Sequence, residues 1–391
     1  MSADPRPAGH TTSAAAAPSL GEIVREWGRI GCLGFGGPPT HMAMLRRLCV
    51  ERRGWLEPEE FEDALAACNL LPGPASTQLS IFCAWRLAGR RGALLGGAAF
   101  IAPGLVAVLA LASVFLSSSP PRWVLGAGAG AGATVAAIAL HAGLGLAPAS
   151  VARTSGVRRA RWLLYALLGA LAAAALGAGL VIVLLACGLF ELALRTGAPQ
   201  RFAAIAGPLP LASAGGLGAL AWTALKVGAL SYGGGFVIVP LMRADAVHVY
   251  HWMSEAQFLD AVALGQVTPG PVTHTVAAVG YAAAGVGGGL LAALIAFAPS
   301  FAFVLLGARR FGALRGDRRA RAFLDGAAPA AIGAILGSAV PLALSLQQPW
   351  QFAVLAGAGG ALLLGRSILA TILAAGAIGV LLALAGAPLP S

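Results

Sequence analysis

Charge is scarce in this sequence. Only 10% of its 391 residues are Asp, Glu, Lys or Arg, against about a quarter in an ordinary soluble protein. No polar stretch is long enough for a separate soluble domain, which excludes a water-exposed catalytic module. Cysteine is sparse too. Cys32, Cys49, Cys68, Cys83 and Cys187 are odd in number and none sits at metal-ligand spacing. They read as small apolar side chains, not as a disulfide framework or a metal site. His248 and His251 lie three apart with no third ligand in view. There is no Ser-His-Asp arrangement, phosphate-binding loop or dinucleotide fingerprint; the "GAGAGAG" at 126–132 reads as small-residue helix packing. These absences argue against an enzyme, a cofactor and a bound metal. The first 18 residues, rich in Ala, Pro, Ser and Thr, lack the apolar run of a signal peptide and read as a disordered tail. The net charge of +11 comes from short Arg clusters between apolar segments. That pattern fixes orientation in a bilayer and speaks against nucleic-acid binding.

Apolar residues make up 58% of the chain and the mean hydropathy is +0.81. Apolar runs near 20 residues recur from 20–45 to 367–387. The expected fold is an all-α, polytopic membrane protein in contact with lipid on all sides. Internal similarity divides it. Residues 31–100 align with 228–297 without a gap, matching Gly36 with Gly233, Gly37 with Gly234, Arg46 with Arg243, Trp55 with Trp252, Asp63 with Asp260, and Pro72-Gly73-Pro74 with Pro269-Gly270-Pro271. The expected organisation is a repeat over 19–197, a linker at 198–214, and a second repeat over 215–391.

Loop charge gives the relative orientation of the repeats. In the first half the loops "RLAGRRG" and "VARTSGVRRAR" are basic and "SSSPPR" between them is nearly neutral. In the second half the order reverses: "AAAGVGGG" and "SLQQPW" are uncharged and "RRFGALRGDRRAR" between them is strongly basic. Because cytoplasmic loops carry the excess of Arg, the two halves are inverted. Arg clusters flank the first Pro-Gly-Pro segment on both sides, so residues 57–88 are expected to enter the membrane and return, turning at Pro72-Gly73-Pro74. Each arm, at ~21 Å of helix, reaches the middle of a ~30 Å core. By inversion, 254–285 forms a second re-entrant hairpin from the other face. About ten net crossings follow, with the N-terminus outside.

The chemistry is expected at the breaks. Pro74 and Pro271 suit the first position of a new helix, where no N–H is needed. The first turns then hold Ser76, Thr77 and Gln78 in one half and Thr273, His274 and Thr275 in the other. Unpaired N–H groups and partial positive charge at a helix start favour an anion. Capping of the backbone by Ser76, Thr77 and Thr273 is the plainer alternative. A second pair of breaks, Gly36-Gly37 and Gly233-Gly234, gives backbone access or close packing. Arg29 aligns with Lys226, seven residues before Gly233, and both are candidate anion-guiding cations. Asp63 and Asp260 are read as a latch to Arg46 and Arg243, or as a proton-coupling pair.

These motifs resemble the chromate ion transporter family. The resemblance is carried by "FGGPPTHMAML", "WLEPEEFEDALAACNLLPGP" and "LLGGAAFIAPG" in the first half. "YGGGFVIVPLM", "GQVTPGP" and "VGY" carry it in the second. His41 and Gln78 match the family; Ala75 stands where many members carry Glu. The resemblance implies a bacterial inner-membrane, multi-pass exporter of chromate driven by protons, conferring resistance. Its partner is an oxyanion, chromate or sulfate. Sulfate transport, uptake, a channel and a membrane enzyme acting on lipid phosphates are the rival readings, and a homodimer is left open.

Overall fold

The computed structural model describes residues 18–117, 119–152, 154–175, 179–196, 216–231, 236–308, 311 and 317–390. The tail before residue 18, the linker 198–214 and the Gly233-Gly234 break lie outside the described residues. Among those described, regular structure is entirely helical.

The same order of elements occurs twice. In the first half α1 (Leu20–Leu33), α2 (Pro38–Arg46), a π-helical turn (Arg47–Arg52), α3 (Pro58–Leu70) and α4 (Ala75–Phe115) follow one another. In the second, α9 (Leu217–Leu230), α10 (Ile238–Arg243), a π-helical turn (Ala244–Val249), α11 (Glu255–Val267) and α12 (Thr275–Gly307) do the same. Between them come α5 (Arg122–Ala133), α6 (Val135–Val151), α7 (Val157–Ala175) and α8 (Leu180–Thr196). Their second-half equivalents are α13 (Arg318–Leu344), α14 (Pro349–Leu363) and α15 (Ile368–Leu384). The local signals are ordinary ones. Ser19 caps α1 by accepting from Glu22 N–H at 3.2 Å, and Ser254 and Gln257 form a capping box on α11.

Four helical stretches are long and apolar enough to cross a bilayer: Ala75–Phe115, Arg122–Val151, Val272–Gly307 and Arg318–Leu344. The first and third are not straight. Helical geometry breaks at Ala88-Gly89 and again at Ala284-Gly285, where each glycine takes a positive φ, 60° and 64°. Beyond each break the chain folds back on itself. Gly92 packs on the Ala84 carbonyl and Gly288 on the Gly280 carbonyl, residues that a straight helix would hold ~12 Å apart. Arg86, near the end of the arm that begins at Ala75, pairs with Glu60 in the first turn of α3, so α3 and this arm form a hairpin with its tip at Pro72-Gly73-Pro74. The second half repeats the order of elements and the fold-back.

The ungapped alignment needs one correction. Before the Pro-Gly-Pro turns the two halves correspond at a constant offset, but after them Gly89 matches Gly285 and Pro103 matches Pro299, one residue sooner. The missing residue is absorbed where Val272–His274 forms a tighter 3₁₀ turn in place of the α-helical start at Ala75. Phe100 and Phe297 therefore match in sequence without being structural equivalents.

The halves are interlocked. α7 and α8 of the first pack on α13 of the second, and α14 and α15 of the second pack on α5 and α6 of the first. Such reciprocal exchange is the mark of a pseudo-two-fold. The contacts are backbone-close: Gly333 and Gly337 sit against Ala166 and Ala170, and Gly169 against Ala330. In the "GAGAGAG" helix, Gly126 and Gly130 face α15 while Gly128 and Gly132 face Leu259 and Asp260 of α11. Small residues let helices approach where no hydrophobic drive separates protein from lipid.

The inversion has a direct check. Arg90 and Val286 are exposed beside the two hairpin ends. In a Cys32→Ser background, Arg90→Cys and Val286→Cys are expected to react with a membrane-impermeant maleimide from opposite sides; labelling from the same side would refute an inverted repeat.

Candidate functional site

The two Pro-Gly-Pro tips converge. α1 stops at Leu33, and in a continuous helix the Gly34 carbonyl would accept from residue 38. Pro38 has no N–H to give, so that carbonyl is free. Two donors take it. His41 Nε2 approaches at 2.8 Å, and the N–H of Gly270, the centre of the second tip, at 3.1 Å. Because a carbonyl only accepts, the His41 proton is on Nε2. Nδ1 then accepts from Ser76 Oγ, 3.4 Å away in the first turn after the other tip. One chain of contacts, Ser76 to His41 to Gly34 to Gly270, joins the two breaks.

Each tip is cradled by the opposite half. Gly73 (φ 113°) lies against the Gly228 carbonyl of α9 and Ser300 of α12. Gly270 (φ 94°) lies beside Phe100 of α4, and Gly104 packs on the Pro269 carbonyl and the His274 ring. Both φ values fall where a side chain is strained, which accounts for glycine at each turn. Gly34 is fixed by contact instead: a Cβ there would lie 2.6 Å from His41 Cδ2.

The expected donors divide into used and unused. Gln78 donates from Nε2 to the Pro72 carbonyl at 2.6 Å, closing the first turn. Thr275 Oγ1 donates to Val272 O at 2.8 Å, and Thr273 Oγ1 shares a proton with Ser231 Oγ at 3.4 Å. Thr275 therefore spends its proton on a carbonyl of its own turn and is not a free donor. Thr77 Oγ1, Ser300 Oγ and both ring nitrogens of His274 are buried with no hydrogen-bond partner among the described residues, although the carbonyls of Ile101 and Pro269 lie beside the His274 ring. The N–H groups of Ala75, Ser76, Val272 and Thr273 likewise meet no acceptor among those residues, as the first turn of a helix dictates. Each buried group left unpaired costs about 1–3 kcal/mol. Most unpaired buried side-chain atoms in the described structure lie at or next to the tips. A guest that accepts hydrogen bonds from both helix starts would offset that cost. Ser76, Thr77, Thr273 and His274 are 0–1% exposed, so the site is closed in this conformation.

The charged residues depart from expectation. Lys226 is not a free cation: Nζ pairs with Asp245 Oδ2 at 2.5 Å, and Thr223 Oγ1 donates to the same oxygen at 2.6 Å. Arg29 lies on the exposed side of α1, because the buried stripe is Ile23, Glu26, Trp27 and Ile30. The repeated arginines both pair with glutamates, and Arg243 makes no ion pair with Asp260. Arg46 pairs with Glu62 and Glu51, and Arg243 makes a two-pronged bond to Glu255, at 2.9 and 2.5 Å. The repeated arginines do anchor the first hairpin arms, but through glutamates that the alignment does not match. Asp260 is buried against Gly128 and makes no ion pair with a described residue. Gly36 and Gly37, with φ of 102° and 75°, form the reversal that brings His41 under α1.

Comparison with known proteins fits this arrangement. The model of one protein family, described as chromate transporter, matches residues 21–192 and 218–380.

The chain belongs to the chromate transporter family.

A chromate transport protein of Cupriavidus metallidurans is 34% identical over 340 residues, 83% of each chain. One from Pseudomonas aeruginosa is 31% identical over 355 residues, 85% of this chain and 83% of its own. A probable chromate transport protein of Synechococcus elongatus is 30% identical, over 83% of this chain and 84% of its own. No solved structure matches the chain. Within this family member, sequence reasoning missed Gly34, Ser231, Ser300 and Asp245. Ser231 was within reach, since it aligns with Gly34 beside a repeated break. Asp245 was not, because only the fold carries it to Lys226.

The ion pair can be tested by stability. Lys226→Met strands a buried carboxylate and is expected to cost about 3–5 kcal/mol, read as a lower melting temperature in detergent. Adding Asp245→Asn should recover most of the loss; no recovery would mean that the two residues are not coupled.

Proposed function

We propose that this protein is a secondary active transporter that exports chromate across the bacterial inner membrane, with the oxyanion held between the two Pro-Gly-Pro tips. The observation that carries the reading is the joining of both tips at the Gly34 carbonyl, with unspent N–H groups of two helix starts buried around it. A tetrahedral dianion can accept from both starts at once. It needs no full cation nearby, because fixed N–H dipoles in a dry site act strongly. Ala75 keeps a carboxylate out of that space. The names of the relatives favour chromate among such anions, and sulfate, of the same shape and charge, is the competing substrate.

The closed tips require a second conformation that opens them to each side. Since the repeats exchange helices, the bodies that move are composites of both halves; α13 travels with α7 and α8. Proton coupling is assigned to Asp260, the buried carboxylate on the arm leading to the second tip.

Inverted vesicles supply the test. Labelled chromate is expected to accumulate when the lumen is acidified, and sulfate is expected to compete. Ser76→Ala and Thr273→Val should each lower transport roughly tenfold, the equivalent of about 1.4 kcal/mol, at unchanged abundance. In Asp260→Asn, chromate exchange should persist while the response to the proton gradient disappears. Transport indifferent to the gradient in the unmodified protein would point to a channel and end the coupled reading.

A further inference from the structure

A second polar site lies away from the tips, where α7, α8 and α13 enclose a cavity of about 350 Å³. Four arginines line it, Arg158, Arg161, Arg195 and Arg321, against two carboxylates, Glu191 and Asp325. The carboxylates are already engaged. Glu191, only 2% exposed, accepts from Arg161 at 3.2 Å, Arg195 at 2.7 Å and Tyr165 at 2.9 Å. Asp325 pairs with Arg195 at 2.7 Å. That leaves Arg158 in surplus, since Arg321 has a partner of its own. Arg158 is exposed and pairs with no described carboxylate, and Arg161 Nε is buried without an acceptor. Arg158, Arg161 and Arg321 belong to the basic segments whose charge marks the cytoplasmic face, and Arg195 ends α8 beside them.

The cavity also has a direction. On α13 its lining runs from Arg321 to Pro329, ~12 Å of helix, and its wall includes Leu70, the last residue of α3, two residues before Pro72. Exposed arginines and the residue that leads into the first tip therefore line one cavity.

We propose that this cavity is a cytoplasmic oxyanion vestibule, a binding site for a tetrahedral dianion on its way to the tips. The proposal rests on the oxyanion-transport reading above. Charge of one sign between low-dielectric walls raises the local concentration of a counter-ion by about 10- to 1,000-fold. Glu191 acts as a positioning residue: it draws Arg161 and Arg195 together and spends its own charge in doing so. Arg158 and Arg321 stand at the mouth.

Trp162, in the cavity wall with its Nε1 bonded to Ser150 Oγ at 2.9 Å, supplies a reporter. Chromate absorbs where tryptophan emits and sulfate does not. In the full-length protein in detergent, chromate is expected to quench part of the fluorescence saturably, sulfate to reverse it, and Trp162→Phe to remove that part. Arg158→Gln should weaken the apparent affinity roughly threefold to tenfold and flatten its dependence on added salt, while Arg158→Lys stays within roughly twofold of the parent. Arg158 has no described ion pair to lose, so the substitution leaves the packing in place. Unchanged affinity in Arg158→Gln, or saturable quenching that survives in Trp162→Phe, would overturn the vestibule. Quenching at Trp162 without chromate transport would sink the transport reading alone. Transport with no saturable quenching at Trp162 would sink the vestibule alone.

Discussion

The carbonyl of Gly34 is the point on which the rest of the structure depends. It is available only because Pro38, four residues on, has no N–H with which to continue α1. It has two lone pairs, and two donors from distant parts of the chain fill them: the His41 ring and the backbone of Gly270. The first donor carries the link on to Ser76 and so to one re-entrant tip; the second belongs to the other tip. In hydrocarbon an irregular turn survives only where protein satisfies its backbone. Here each half supplies what the other half's turn lacks.

That dependence explains the interlocked helices. A tip cradled by the opposite half requires the halves to approach closely, and they do so through glycine and alanine faces that bring backbone against backbone. The Gly-Ala helix α5 is the clearest instance. Alternate glycines serve two neighbours, α15 on one side and α11 on the other, so its low complexity reflects two packing faces on one short helix. An arrangement held by van der Waals contact, with few side-chain bonds between its bodies, has little to break when it shifts. The proposed cycle, in which a closed site opens first to one side and then to the other, needs that property.

Charge is distributed by the same economy. Where cations lie inside the protein they are neutralised, as at Lys226 with Asp245 and at Glu191 with its two arginines. The free donors at the tips are uncharged N–H and hydroxyl groups, which bear burial at far lower cost than a full charge. In the proposed vestibule the surplus charge lies on exposed arginines, where water screens it.

Composition, Arg placement and the repeated Pro-Gly-Pro were enough to read an all-α polytopic protein broken twice by the same turn. Those features are local or periodic, and a chain in lipid has few other ways to satisfy its backbone. Pairings were not legible. Arg46 finds Glu62, Arg243 finds Glu255, Lys226 finds a carboxylate beyond a helix break, and Arg29 turns outward by helical phase. A slip of one residue after the tips, absorbed by a 3₁₀ turn, was hidden because an ungapped alignment still matched Phe100 with Phe297. Sequence by itself determined where the chain must break and which groups a break leaves unpaired, because proline, glycine and lipid permit so little else. Only the tertiary structure decided which of those groups meet, because contacts between halves depend on crossing angles and phase that no local pattern encodes.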